Sequence, residues 1–215
     1  MTVNTERLIE SLSQNVPPVS RRALSRRIRY GICGGGIVAT IPVVALLGVR
    51  PDLAQAVRSF PFWMKCSYTV SVGVFAVIAV GQLARPTSAS LRALWLLAIP
   101  VLLLAGIGIG ELASTPSSEW LTIWLARSWL RCPPLVLALA TPIFIGLLWA
   151  FRTLAPLQAR AAGAAAGLAA GAWAATIYGL YCPEVSAIFV LTWYSLGIVL
   201  ATAAGALLGP RLMRW

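Results

Sequence analysis

The 215-residue sequence contains no histidine and only six acidic residues, and 11% of it is charged. Without histidine the chain has no imidazole ligand, proton shuttle or hydroxyl-activating base, which removes most metal and hydrolase centres. No carboxylate pair falls at the middle of an apolar run, where a proton relay would need one. A Gly-rich Walker loop is missing, and so is any Cys-x-x-Cys pair of the thiol oxidoreductase type. No polar stretch is long enough to build an independent soluble core. These absences argue against an enzyme and against a pump.

What the chain does have is 59% hydrophobic residues and a mean hydropathy of +0.84, far above soluble globular proteins. Six apolar runs are long enough to cross a hydrocarbon core of about 30 Å. They are Tyr30 to Gly48, Trp63 to Leu83, Ala93 to Glu111, Pro133 to Phe151, Ala161 to Tyr181 and Ala187 to Leu208. The expected fold is an all-α polytopic membrane protein: a tail over 1–28, then one six-helix bundle over 29–215. The first run is full span length and follows an Arg-rich polar segment, so it reads as a span and not as a cleaved signal peptide.

An even number of spans puts both termini on one side. That side carries twelve arginines against Glu6 and Glu10, a net +10; the other carries five cations against four carboxylates, a net +1, and together they account for the chain's +11. The positive-inside rule then places both termini in the cytoplasm. Arg21, Arg22, Arg26, Arg27 and Arg29 abut the first span, where they meet anionic headgroups, so the high isoelectric point implies lipid as the partner and no direct nucleic acid. Prolines inside the spans, Pro42, Pro100 and Pro142, are ordinary in membrane helices.

Between the third and fourth runs, Trp120, Leu121, Trp124 and Leu125 recur at helical spacing after a Ser/Thr/Pro turn. This predicts an interfacial helix over Glu119 to Leu130 on the outer surface. Gly163, Gly167 and Gly171 form an i, i+4, i+8 stripe in an alanine-rich span, which predicts close helix packing inside the bundle, with homodimerisation as the other reading. Gly205 with Gly209 and Gly106 with Gly110 repeat the spacing less fully.

Of the four cysteines, Cys33 lies at the cytoplasmic start of the first span, where it reads as a small buried residue. Cys66, Cys132 and Cys182 fall at outer ends of spans. Cys132-Pro133 and Cys182-Pro183 each place a thiol at a helix boundary, because proline fixes the chain just beyond it. Two readings stay open for this pair: a static disulfide or inert thiols, or a reactive or metal-responsive site. Arg131 next to Cys132 favours a thiolate, Glu184 offers an oxygen near Cys182, and soft sulfur selects soft ions. No resident cofactor is expected; a soft metal ion enters only as a signal. In the tail, Leu8, Ile9 and Leu12 share one stripe of a short capped helix ending before Pro17-Pro18. The stripe can rest on the membrane, pack on the bundle or bind a cytoplasmic protein.

The order of these features resembles the six-span membrane anti-sigma factors called negative regulators of sigma F. The matching pieces are Leu8-Ile9-Glu10-Ser11-Leu12 with Pro17-Pro18-Val19, Arg131-Cys132-Pro133, Ala155-Pro156 ahead of Gly163, Gly167 and Gly171, Tyr181-Cys182-Pro183-Glu184, Trp193-Tyr194, and Gly205 with Gly209-Pro210-Arg211. The resemblance implies that the tail, through Leu8, Ile9 and Leu12, holds an extracytoplasmic-function sigma factor at the membrane. It also implies that a signal, a metal or an oxidant, acts through Cys132 and Cys182 on the periplasmic side to release that factor. Cys66 lies outside the resemblance. A membrane thiol-disulfide oxidoreductase and a purely structural scaffold are the alternatives from other classes.

Overall fold

The computed structural model describes residues 21–83, 95–151 and 158–213, and the side chains from residue 25 onward. The tail residues Leu8, Ile9 and Leu12 lie outside the described residues, as does Ala155-Pro156. All regular structure among the described residues is helical. The order is α1 (Arg21–Pro42, extended by a π-helical turn Val43–Leu47), α2 (Leu53–Ala56), α3 (Phe60–Leu83), α4 (Ala98–Ala113), α5 (Trp120–Leu125), α6 (Cys132–Phe151), α7 (Ala159–Tyr178) and α8. The last runs Ala187–Leu212 and contains a π-helical turn, Val190–Tyr194. Six of these, α1, α3, α4, α6, α7 and α8, are long and apolar enough to span a membrane. The protein is a multi-pass membrane protein, as the hydropathy predicts. Observed span ends differ from the expected ones by a few residues, most at the first, whose candidate span starts at Ser25.

Helix α7 is the centre. Of its spanning window 67% is buried inside the bundle, against 11% for α4 at the edge. It is also the least apolar of the six spans. That inversion follows from the solvent: lipid tails give no hydrophobic drive between helices, so the helix with the smallest side chains is drawn into the tightest contact. The glycine stripe makes the contact. A Cβ placed on Gly163 would sit 2.2 Å from the Gly205 carbonyl oxygen, and one on Gly205 would sit 2.2 Å from the Gly163 oxygen. Gly167 faces the Ala201 carbonyl in the same way, and Gly209 faces that of Ala159. The α7 stripe is therefore used within the chain, and Gly205 with Gly209 is its partner stripe. By contrast, Gly106 and Gly110 meet nothing within 4 Å. A second close crossing joins α1 to α6, where Gly31 and Gly146 approach each other's carbonyls.

One end of the bundle gathers the start of α3, α6 and α8 and the end of α1, α4 and α7. This thiol end is tied together by polar bonds. Arg50 N donates to Leu180 O at 3.1 Å, linking two loops. Glu111 at the end of α4 accepts from Ser186 Oγ (3.0 Å), Ala187 N (2.8 Å) and Ile188 N (3.3 Å), so a carboxylate from one helix caps the start of another. The interfacial helix exists but is shorter than expected: it stops at Leu125 because Ala126 takes φ 44°, and a turn completes the path to Cys132. Trp124 of this helix and Trp129 of the turn after it pack on Trp193 at 5.5 and 5.2 Å, and Trp193 Nε1 donates to Trp124 O at 2.7 Å.

Candidate functional site

The sequence places Cys132 and Cys182 fifty residues apart; the bundle brings both to its thiol end, both fully buried. Cys132 opens α6. Pro133 and Pro134 follow in the first turn, where helix N–H groups have no intrahelical partner and proline costs nothing. Cys182 follows the last turn of α7, its N–H still donating to Tyr178 O at 3.0 Å, and the chain then runs extended through Pro183 to Ser186. All four cysteines are free thiols. Cys132 and Cys182 lie within electrostatic reach of each other.

Two tyrosines complete the cluster. Tyr178 sits one helical turn before Cys182, and Tyr194 ends the π-helical turn of α8, whose extra residue per turn is a frequent mark of functional sites. Both are fully buried, with ring centroids 5.5 Å apart. Their hydroxyls lie beside the two sulfurs and have no oxygen or nitrogen partner. A thiol is a weak hydrogen-bonding group, so two buried hydroxyls that depend on sulfur are only weakly satisfied.

Lys65 closes the site from α3. It is buried, and its Nζ donates to the carbonyls of Cys182 (3.1 Å) and Glu184. The ammonium thus clamps the extended segment that carries Cys182. Above it, Glu184 Oε1 accepts from Ser128 Oγ at 2.7 Å and from Arg127 N at 3.3 Å, fixing the turn before α6 to the segment after α7. Outside the spans, Arg50 holds Asp52 with two bonds, Nε to Oδ1 at 2.7 Å and Nη2 to Oδ2 at 2.6 Å. Each raises or lowers its partner accordingly: the Asp52 carboxyl is held below its ordinary range by Arg50, and the Arg50 guanidinium is pushed up by Asp52.

Several sequence expectations change at this point. The Glu184 oxygen expected as a ligand near Cys182 is engaged by Ser128 and Arg127 instead. Among the described residues no group of three or more His, Cys, Asp or Glu side chains is placed to hold a metal. Cys33 is exposed on the lipid-facing side of α1, not buried, because α1 turns Gly31 and Gly35 toward α6 and leaves Cys33 outside. Cys66 is half-buried one residue after Lys65. The residues that sequence reasoning overlooked are Lys65, Tyr178 and Tyr194. A signal for the first was present: it is the only lysine in the chain, set inside an apolar run.

Six helices long and apolar enough to cross a membrane, packed with a buried pair of thiols at one end, define a polytopic helical protein. Residues 12–215 match the family described as negative regulator of sigma F. The chain is 35% identical over 213 residues to the probable anti-sigma-F factor NrsF of Azospira oryzae, covering 99% of this chain and 100% of that protein. It is also 35% identical over 215 residues to the anti-sigma-F factor NrsF of Caulobacter vibrioides, again covering 99% and 100%. This chain belongs to the negative-regulator-of-sigma-F family. No solved structure matches it.

Proposed function

We propose that this protein is an anti-sigma factor of the bacterial inner membrane, with both termini cytoplasmic, that sequesters an extracytoplasmic-function sigma factor and releases it on a signal received at Cys132 and Cys182 on the periplasmic side. The anti-sigma role rests on the names of the two relatives, which span the whole chain. The sensing role rests on one observation above all: two free thiols buried together beside two buried tyrosine hydroxyls whose neighbours are those sulfurs. An oxidant that removes two electrons and two protons from the pair leaves a disulfide, and a soft ion displaces the thiol protons. Either event removes the thiol protons and changes the packing between Tyr178, Tyr194 and the Lys65-clamped segment. For that change to be felt at the other end it has to favour a second arrangement of the helices. Leu8, Ile9 and Leu12 of the tail are the proposed sigma-binding stripe.

The test has two parts. Changing Leu8, Ile9 and Leu12 to Ser should leave membrane insertion intact, abolish co-purification of the sigma factor and raise its target transcripts; retained capture would move the binding surface elsewhere. Cys132→Ser and Cys182→Ser should each blunt induction by thiol-reactive metals or oxidants, and the double variant should resemble either single one, because the pair acts as a unit. Normal induction in the double variant would remove the sensing half of the proposal.

A further inference from the structure

Directly outside the thiol cluster lies a cleft of about 310 Å³ at the thiol end. Its walls carry Arg50, Arg127, Arg131 and Asp52, and Tyr178 and Tyr181 line it on the bundle side. At about 30 Å³ per water it has room for roughly ten waters, enough for a small hydrated ion. Three guanidiniums against one carboxylate give the lining a net positive charge, and a cleft walled by protein focuses that field. Asp52 is already taken by Arg50. Among the described residues neither the Arg127 nor the Arg131 guanidinium is in an ion pair, although both open onto the same cleft. The other carboxylate nearby, Glu184, is turned to Ser128 Oγ and the Arg127 N–H.

Two further observations show that the cleft is built and not incidental. Arg127 follows Ala126, whose φ of 44° and ψ of −159° are a conformation that costs a non-glycine residue about 1–3 kcal/mol and that clusters at functional sites. That turn is what swings Arg127, Ser128 and Arg131 over the end of α7. Tyr178, buried at the base of the cleft, is the same residue whose hydroxyl lies beside the sulfurs, so the cleft and the thiol cluster share a wall.

We propose that Arg50, Arg127 and Arg131 form an anion-binding vestibule over the thiol cluster, and that its ligand is a small tetrahedral oxyanion, either free in solution or as the phosphate of a lipid headgroup. The planar fork of arginine matches two oxygens of such an anion at once; the exposed forks of Arg127 and Arg131 are open to it, while Arg50, whose fork is held by Asp52, adds charge behind them. An anion seated there lies against Tyr181, whose ring packs on that of buried Tyr178 at 5.8 Å, and so meets the cluster without touching either sulfur. The site goes beyond the sensing role, since it needs neither cysteine.

Inorganic sulfate titrated into the full-length protein in maltoside micelles, at ionic strength held constant with chloride, tests this by calorimetry. Saturable binding is expected, with at least a tenfold loss in the Arg127→Gln/Arg131→Gln double variant. Both side chains are exposed, so that variant retains the fold. Cys132→Ser/Cys182→Ser should bind as the parent does, which separates this site from the sensing proposal. Asp52→Asn, which removes the competing carboxylate, should bind sulfate more tightly. Repeating the titration in phosphatidylcholine nanodiscs distinguishes the sources: weaker sulfate binding than in the phosphate-free maltoside micelles identifies a headgroup phosphate as occupant, and equal binding identifies a free anion. Sulfate indistinguishable from chloride, or a double arginine variant that binds as the parent does, would overturn the proposal.

Discussion

Substituting Gly205 by Ala puts the α7–α8 seam to a quantitative test. The new Cβ would stand 2.2 Å from the Gly163 carbonyl oxygen and 3.1 Å from the Gly167 Cα, both backbone atoms that no side-chain rotation can move. The helices have to part by about 1 Å to restore an ordinary contact, and a gap of that size forfeits roughly a quarter to a half of each dispersion well it opens. With each atom pair worth about 0.1–0.2 kcal/mol and some tens of pairs along Gly163, Gly167, Gly171 and their partners, the loss comes to about 1–3 kcal/mol, the usual range for overpacking. The better helix propensity of alanine returns at most about 1 kcal/mol.

The assay is unfolding in mixed dodecyl sulfate and maltoside micelles, followed by the fluorescence of the nine tryptophans. Gly205→Ala should unfold at lower dodecyl sulfate fraction than the parent. Gly106→Ala, at a glycine with nothing within 4 Å, should unfold at the same fraction or higher. Gly163→Ala should cost as much as Gly205→Ala, and the double variant less than the sum, because helices already parted have less to lose. Equal stability of Gly205→Ala and the parent, or an equal penalty at Gly106, would refute a seam made by backbone contact.

Lys65→Met should cost about 1–3 kcal/mol in the same assay by stranding two carbonyls, and it should speed maleimide labelling of Cys182; unchanged labelling kinetics would mean that the lysine does not hold that segment. Ala126→Gly should stabilise by about 1 kcal/mol through relief of the positive-φ turn, seen as a higher unfolding midpoint. Glu111→Ala should accelerate hydrogen exchange at the amides of Ala187 and Ile188, which lose their acceptor, and leave exchange in α6 unchanged. Because the Asp52 carboxyl is held below its ordinary range by Arg50, its stabilising effect is present at neutral pH and is lost as acid protonates it. The parent and Asp52→Asn should therefore differ in thermal stability at pH 7, and the difference should begin to shrink only as pH falls below the ordinary aspartate value of about 3.9 and vanish as the lower folded-state value is passed.

The spans were legible because their signal is local: about twenty consecutive apolar residues suffice to predict a crossing, and the observed ends shift by only a few positions. The two Cys-Pro boundaries were legible for the same reason, proline acting on its immediate neighbours. What the sequence did not reveal is pairing. Gly163, Gly167 and Gly171 announce a close approach but not its partner, and the partner stripe reads as a weak repeat until Gly205 and Gly209 are seen against the carbonyls of Gly163 and Ala159. The interfacial helix was overextended because helical periodicity continues past Leu125, whereas the chain stops it with a backbone angle at Ala126 that no periodicity records.

Lys65 shows why the candidate site was half hidden. By composition it counts as one more outward charge in the topological balance, and a charge near a span end ordinarily snorkels to the headgroups. Here it turns inward, because the extended segment after α7 offers the carbonyls of Cys182 and Glu184 in place of water. Those carbonyls are free to accept only because Pro183 breaks the helix between them, so the residue that made Cys182 conspicuous also created the acceptors that bury the lysine. The two features are one device: a helix end opened by proline, closed by an ammonium from a neighbouring helix, with a thiol at the joint. Chemistry at that thiol acts on a segment held by side-chain hydrogen bonds, those of Lys65, Ser128 and Glu111, whereas the glycine seam below it is held by the backbone itself. The segment is the softer of the two, and a thiol-borne change should displace it before it disturbs α7 against α8.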